Sequence, residues 1–117
     1  MIDVTCTPDA PRGRGGAGAV HHIAWRVADD ADQIVWRKTL VHAGMNVSPI
    51  LDRQYFHSIY YREPGGVLFE GATDPPGFEI DEPRESLGEA LKLPPWLEQA
   101  RERIADGLEP IKLPKMP

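Results

Sequence analysis

The sequence predicts an α+β fold, a single βαβββ module with an extended tail and a C-terminal helix. Three observations carry that prediction. A strand-like alternation opens at Val20, a capped helical segment follows it, and three further strand-like stretches close at Glu70.

The first eighteen residues stand apart from this pattern. Pro8 to Gly18 (Pro-Asp-Ala-Pro-Arg-Gly-Arg-Gly-Gly-Ala-Gly) is too rich in proline and glycine for a stable helix or regular strand. Residues 1–18 are therefore expected to be a flexible segment or linker. Only about seven residues precede the glycine run. That points either to a chain belonging to a larger design or to an ordinary loose N-terminus.

The module itself is expected over residues 19–78. From Val20 to Val27 the residues alternate. His21, Ile23, Trp25 and Val27 share one face, with the bulk to pack under a helix. Val20, His22, Ala24 and Arg26 share the other, as suits a strand facing a cavity. Asp29-Asp30 offers a helix N-cap, with Gln33 in capping-box position after Asp30. Ile34, Val35, Leu40 and Val41 form the expected apolar stripe, and Gly44 is the expected stop of a helix of about fourteen residues.

A second strand is expected from Asn46 to Asp52, at a sheet edge because of Pro49. A third runs from Tyr55 to Arg62, rich in aromatic and β-branched residues. Glu63-Pro64-Gly65-Gly66 is a strong turn, and Val67 to Ala72 makes the fourth strand, with Leu68, Glu70 and Ala72 on one face. Residues 79–117 form a proline-rich tail. Pro94-Pro95 opens a helix of about 95–106, with Leu97, Ala100 and Ile104 inward and Gly107 ending it.

Composition narrows the function classes. The 117 residues suffice for one domain with a modest core. No apolar run is long enough to span a bilayer, and the start lacks the basic and apolar regions of a signal peptide, so a soluble cytoplasmic protein without membrane partners is expected. Cys6 is the single cysteine, which excludes an intrachain disulfide and a thiolate metal cluster. The net charge of −5, with basic residues scattered among acids, argues against nucleic-acid binding.

A histidine on the first strand and a carboxylate on the last, if those strands are neighbours, make half or two thirds of a metal site. His42 and His57 read as structural or exposed, and Trp25, Trp36 and Trp96 as packing residues. Cys6 is assigned no role.

Two long segments carry a family resemblance. They are Val20-His21-His22-Ile23-Ala24-Trp25-Arg26 and the run from Asp52-Arg53-Gln54-Tyr55-Phe56-His57 through Ser58-Ile59-Tyr60-Tyr61-Arg62 to Leu68-Phe69-Glu70. Ala72-Thr73-Asp74-Pro75-Pro76-Gly77-Phe78 and Leu91-Lys92-Leu93-Pro94-Pro95-Trp96-Leu97-Glu98 extend it, so that it covers roughly residues 12 to 110. Through these the chain resembles a module of the vicinal oxygen chelate superfamily, the glyoxalase, bleomycin resistance and dioxygenase group. It is most similar to the C-terminal half of extradiol ring-cleaving dioxygenases of the hydroquinone type.

The resemblance implies iron(II), with Mn(II) or another divalent metal as substitute, or no metal if the chain is degenerate. It implies His22 and Glu70 as metal ligands, His21 and Tyr60 as catalytic residues, and Arg53 as a substrate-binding residue. The imagined chemistry is the facial triad, with open positions for a catechol- or hydroquinone-like aromatic and dioxygen. The family's third ligand is a histidine of an N-terminal module for which this sequence has no counterpart. A homodimer through the open sheet face, or a separate N-terminal module, would then complete the site. Two copies would create a two-His, two-Glu site like that of lactoylglutathione lyases. A metal-free, drug-sequestering module is the non-enzymatic alternative.

Overall fold

The computed structural model describes residues 3, 5–11 and 13–110. The chain divides into two compact units, residues 1–75 and 76–117.

The first unit is a βαβββ module. Its elements are β1 (Ile23–Val27), α1 (Asp30–His42), β2 (Leu51–Asp52), β3 (His57–Arg62) and β4 (Leu68–Thr73). They form one four-stranded sheet in the order β1-β4-β3-β2. The first and last strands are thus central neighbours, paired in parallel with Ala24 beside Glu70. β3 runs antiparallel to β4 with Tyr60 opposite Glu70. Paired residues share a face. Ala24, Tyr60 and Glu70 therefore lie on one side of the sheet, and Trp25, Ile59 and Gly71 on the other.

The helix covers the second side. Val27, Ile59 and Tyr61 are buried there, with Val47, Leu40, Met45 and Phe69 packed around Ile59 and Tyr61. Gly71 lets the sheet close up: a β-carbon there would stand 3.1 Å from Ile59 Cγ1 and 3.4 Å from Val27 Cγ2. The rings of Trp25 and Tyr61 meet Phe69 edge-to-face.

Several boundaries differ from the sequence expectation. The first strand begins at Ile23, not Val20, and Val20 is exposed. Its parallel partner β4 starts only at Leu68, and two residues earlier the chain turns at Gly66, whose φ is +93°. The second strand shrinks to Leu51–Asp52 plus an isolated bridge between Val47 and Tyr61. Pro49, which has no N–H, interrupts that ladder. Ser48 spans the break: its N–H donates to the Tyr60 carbonyl, and its hydroxyl accepts from the Tyr60 N–H.

The helix starts as expected but is capped differently. Asp29, not Asp30, is the N-cap, its carboxylate accepting from Asp32 N–H at 2.9 Å. Gln33 closes no capping box. It is fully buried, and its amide nitrogen donates to the carbonyls of His57 and Gly71, both at 2.8 Å. That anchor sets the helix rotation, so Gln33, Arg37 and Leu40 face the sheet and the loop beside it, with Arg37 Nε on the Ser48 carbonyl. Of the expected apolar stripe only Leu40 packs inward. Ile34, Val35 and Val41 are exposed. Gly44, at φ +82°, ends the helix in a Schellman arrangement: its N–H bonds the Val41 carbonyl, and Met45 N–H bonds that of Leu40.

In the second unit the expected helix of 95–106 is a 3-10 segment, Pro95–Ala100, followed by α2, Arg101–Gly107. Two shorter 3-10 turns, Phe78–Ile80 and Arg84–Ser86, precede it. Ala100 and Ile104 are half-buried, whereas Leu97 and Trp96 are exposed, so neither packs as expected. No helix among the described residues is long and apolar enough to cross a membrane.

Candidate metal centre

The helix-free face of the sheet gathers the charged and hydroxyl groups of the module. Glu70 projects from the centre of β4 and is only 3% exposed. A carboxylate so placed must be compensated, and three neighbours do this. His22, just before β1, holds Nε2 2.7 Å from Glu70 Oε2. Tyr60, directly across on β3, donates its hydroxyl to Oε1 at 2.7 Å. Ser58, two residues earlier on β3 and fully buried, donates its hydroxyl to the same Oε1.

The electrostatics follow from these contacts. Burial by itself would raise the Glu70 carboxyl. The hydroxyls of Ser58 and Tyr60 and the imidazole of His22 outweigh it and hold the group below the usual carboxylate range. Burial and the bond to Glu70 push the Tyr60 phenol upward, against a lowering by Ser58 and Arg53. Tyr60 therefore stays a neutral donor at neutral pH.

His21 and Arg53 extend the cluster. His21 Nδ1 lies 2.8 Å from His22 Nδ1. With Nε2–H of His22 directed to Glu70, His22 Nδ1 accepts a hydrogen bond from His21 Nδ1–H. A cation on Nε2 would require the reverse, with His22 Nδ1 donating to His21. Arg53 opens the β2–β3 connection, where its N–H bonds the Phe56 carbonyl and Asp52 accepts from Gln54 N–H. Gln54 adopts φ +68° there. The turn sets the Arg53 guanidinium over the Tyr60 ring, 5.2 Å from its centroid. An open cavity of about 810 Å³ borders His21, with Arg14, Arg62, Val67 and Leu68 among its walls.

All five expected site residues thus lie in one cluster. Ser58 is a further member that the sequence alone does not single out: it shares the alternation phase of Tyr60, and the β3–β4 pairing then puts it on the face of Glu70. His57 and His42 lie elsewhere, His57 paired with Asp30 at 2.7 Å and His42 on the Lys38 carbonyl.

The donor set fits two places of a divalent-metal site. An imidazole nitrogen and a carboxylate oxygen converge, and the second carboxylate oxygen is already bonded. No group of three or more His, Cys, Asp or Glu side chains gathers around a common point among the described residues.

A family model described as the glyoxalase/bleomycin resistance protein/dioxygenase superfamily matches residues 2–80. The chain belongs to this superfamily. It is 50% identical over 113 residues to the Bacillus subtilis protein named "Putative ring-cleaving dioxygenase MhqO", covering 97% of this chain and 36% of that one. It is 41% identical over 92 residues to the chlorohydroquinone/hydroquinone 1,2-dioxygenase of Sphingobium indicum, covering 76% of this chain and 28% of the relative. A crystal structure of a "putative dioxygenase" from B. subtilis superposes with a TM-score of 0.83 at 50% identity, over 92% of this chain and 35% of that one. The chain thus spans about a third of the length of the superfamily relatives it matches.

Proposed function

We infer that this chain is the metal-bearing module of a ring-cleaving dioxygenase acting on a hydroquinone- or catechol-like aromatic, with iron(II) as the metal. The observation that carries the reading is the convergence of His22 Nε2 and Glu70 Oε2 on the helix-free face of the sheet. The names of the superfamily relatives support the reaction class. A ferrous ion held there would supply open positions for a diol and dioxygen and the redox chemistry that ring cleavage needs.

The protein side of the chemistry follows from the cluster. His22 and Glu70 furnish one nitrogen and one oxygen donor. With a cation on His22 Nε2, His21 Nδ1 accepts the His22 Nδ1–H and ties that imidazole to the edge of the cavity. Arg53 offers positive charge to an anionic substrate oxygen above the Tyr60 ring. Tyr60 contributes a hydroxyl beside the carboxylate.

Two donors hold a metal poorly, so the reading requires a second module to complete the site. A second copy would yield two histidines and two glutamates, the arrangement of the lyase alternative, and native mass with metal content separates the two. The catalytic test is oxygen uptake. After anaerobic iron(II) loading, the protein with its completing module should consume dioxygen with a hydroquinone or a catechol. Absence of uptake from protein with iron bound would move the assignment to another chemistry of the superfamily.

A further inference from the structure

The geometry points to Ser58 as a positioning residue that restricts Glu70 to one oxygen, Oε2, for any cation bound beside His22. This deepens the proposed function and rests on Glu70 being a ligand. A carboxylate free to rotate about its last bond can offer a cation either oxygen or both. Glu70 lacks that freedom. Oε1 accepts the hydroxyls of Ser58 and Tyr60 together, and Oε2 is left facing His22 Nε2. Hydrogen bonds to a charged acceptor are the stronger class, and two on one oxygen fix the plane of the group.

Of the two hydroxyls, that of Ser58 is the fixed one. Ser58 is fully buried and short, so its hydroxyl has no water to turn to. Tyr60 is half-buried, and its longer side chain carries Arg53 over its ring. The backbone on either side of this contact is tied from the opposite face. Gln33 donates to the carbonyl of His57, which precedes Ser58, and to that of Gly71, which follows Glu70. The spacing of Ser58 and Glu70 is thereby held from both sides of the sheet.

The test has a metal-free arm and a metal arm. With glutamate labelled at the side-chain carboxyl, the infrared difference between wild type and Glu70→Gln isolates the Glu70 carboxylate bands. In Ser58→Ala these bands should shift, and Ser58→Thr, which keeps the hydroxyl, should restore them. Ser58→Cys, close in size but a weak donor, gives the same comparison if the alanine variant does not fold. With Co(II) as probe, Ser58→Ala should weaken binding by about 10- to 100-fold while circular dichroism stays that of the folded protein. Unmoved Glu70 bands in Ser58→Ala would overturn the assignment. So would unchanged cobalt affinity in Ser58→Ala when Glu70→Ala abolishes binding. Failure of the wild type to bind cobalt even with its completing module present would instead count against the metal reading, and the infrared arm would still decide the role of Ser58.

Discussion

His22 Nε2 stands 2.7 Å from Glu70 Oε2, joining the residue that precedes β1 to the centre of β4. The contact exists because the βαβββ topology makes the first and last strands parallel neighbours. Its energetic weight is unequal on the two sides. The His22 side chain is 33% exposed and Glu70 keeps two hydroxyl donors without it. His22→Ala should therefore cost about 1 kcal/mol or less, because a partly exposed pair is screened by solvent. Urea unfolding of the variant checks this, and a loss of several kcal/mol would show that the pair holds the fold.

Gln33 is the polar centre of the helix–sheet interface. Its amide nitrogen bonds two strand carbonyls, while its Oε1 is buried with no partner among the described residues. Gln33→Met, of similar length, should destabilise the protein by about 1–3 kcal/mol through the loss of donors to those carbonyls. Denaturant midpoints at constant slope provide the measurement. A neutral outcome would mean that the unpaired oxygen had cancelled the gain from both bonds.

How much of this was legible in the sequence differs between the two sheet faces. The period-2 alternation groups His22 with Ala24 and Glu70 with Leu68 and Ala72; the sheet register keeps the second grouping, and His22, just before β1, reaches the same face through its contact with Glu70. Side-chain direction in a strand is local, so sequence suffices for it. Helix rotation is not local. Ile34, Val35 and Val41 looked like a buried stripe, yet the anchoring of Gln33 to His57 and Gly71 turns them outward. Ser58 escaped notice because a serine in a strand carries no signal until its buried neighbour across the ladder is known. The contact of Arg53 with Tyr60 likewise depends on a left-handed Gln54 that no turn residue announces.

Gly71 is a packing requirement beside the site. A methyl group there would press on Ile59 Cγ1 at 3.1 Å, in the most buried part of the sheet. Gly71→Ala should cost about 1–3 kcal/mol by overpacking. Gly71's own carbonyl, held by Gln33, leaves little room to shift. Thermal unfolding tests this, and an unchanged midpoint would show that the helix can ride outward freely.

The β3–β4 turn carries a pH-dependent contribution. Glu63 accepts from the N–H groups of Gly65 and Val67, each at 2.7 Å, and these two bonds hold its carboxyl below the usual range. A carboxyl depressed in the folded state stabilises that state above its unfolded pKa, and the contribution is lost as pH falls through the folded value. The stability difference between wild type and Glu63→Gln should therefore be present at pH 7 and shrink in acid. Denaturation series at several pH values check it, and a difference independent of pH would contradict the assignment.

The central claim is that His22 and Glu70 together hold a metal once a second module meets their face. Metal content and native mass, measured together on protein reconstituted anaerobically with iron(II), test it most directly. The expected result is a stoichiometric metal in an assembly larger than one chain, lost in both Glu70→Ala and His22→Ala while each variant stays folded. Metal retained by folded variants lacking either side chain would contradict it, as would a metal-free assembly that includes the completing module.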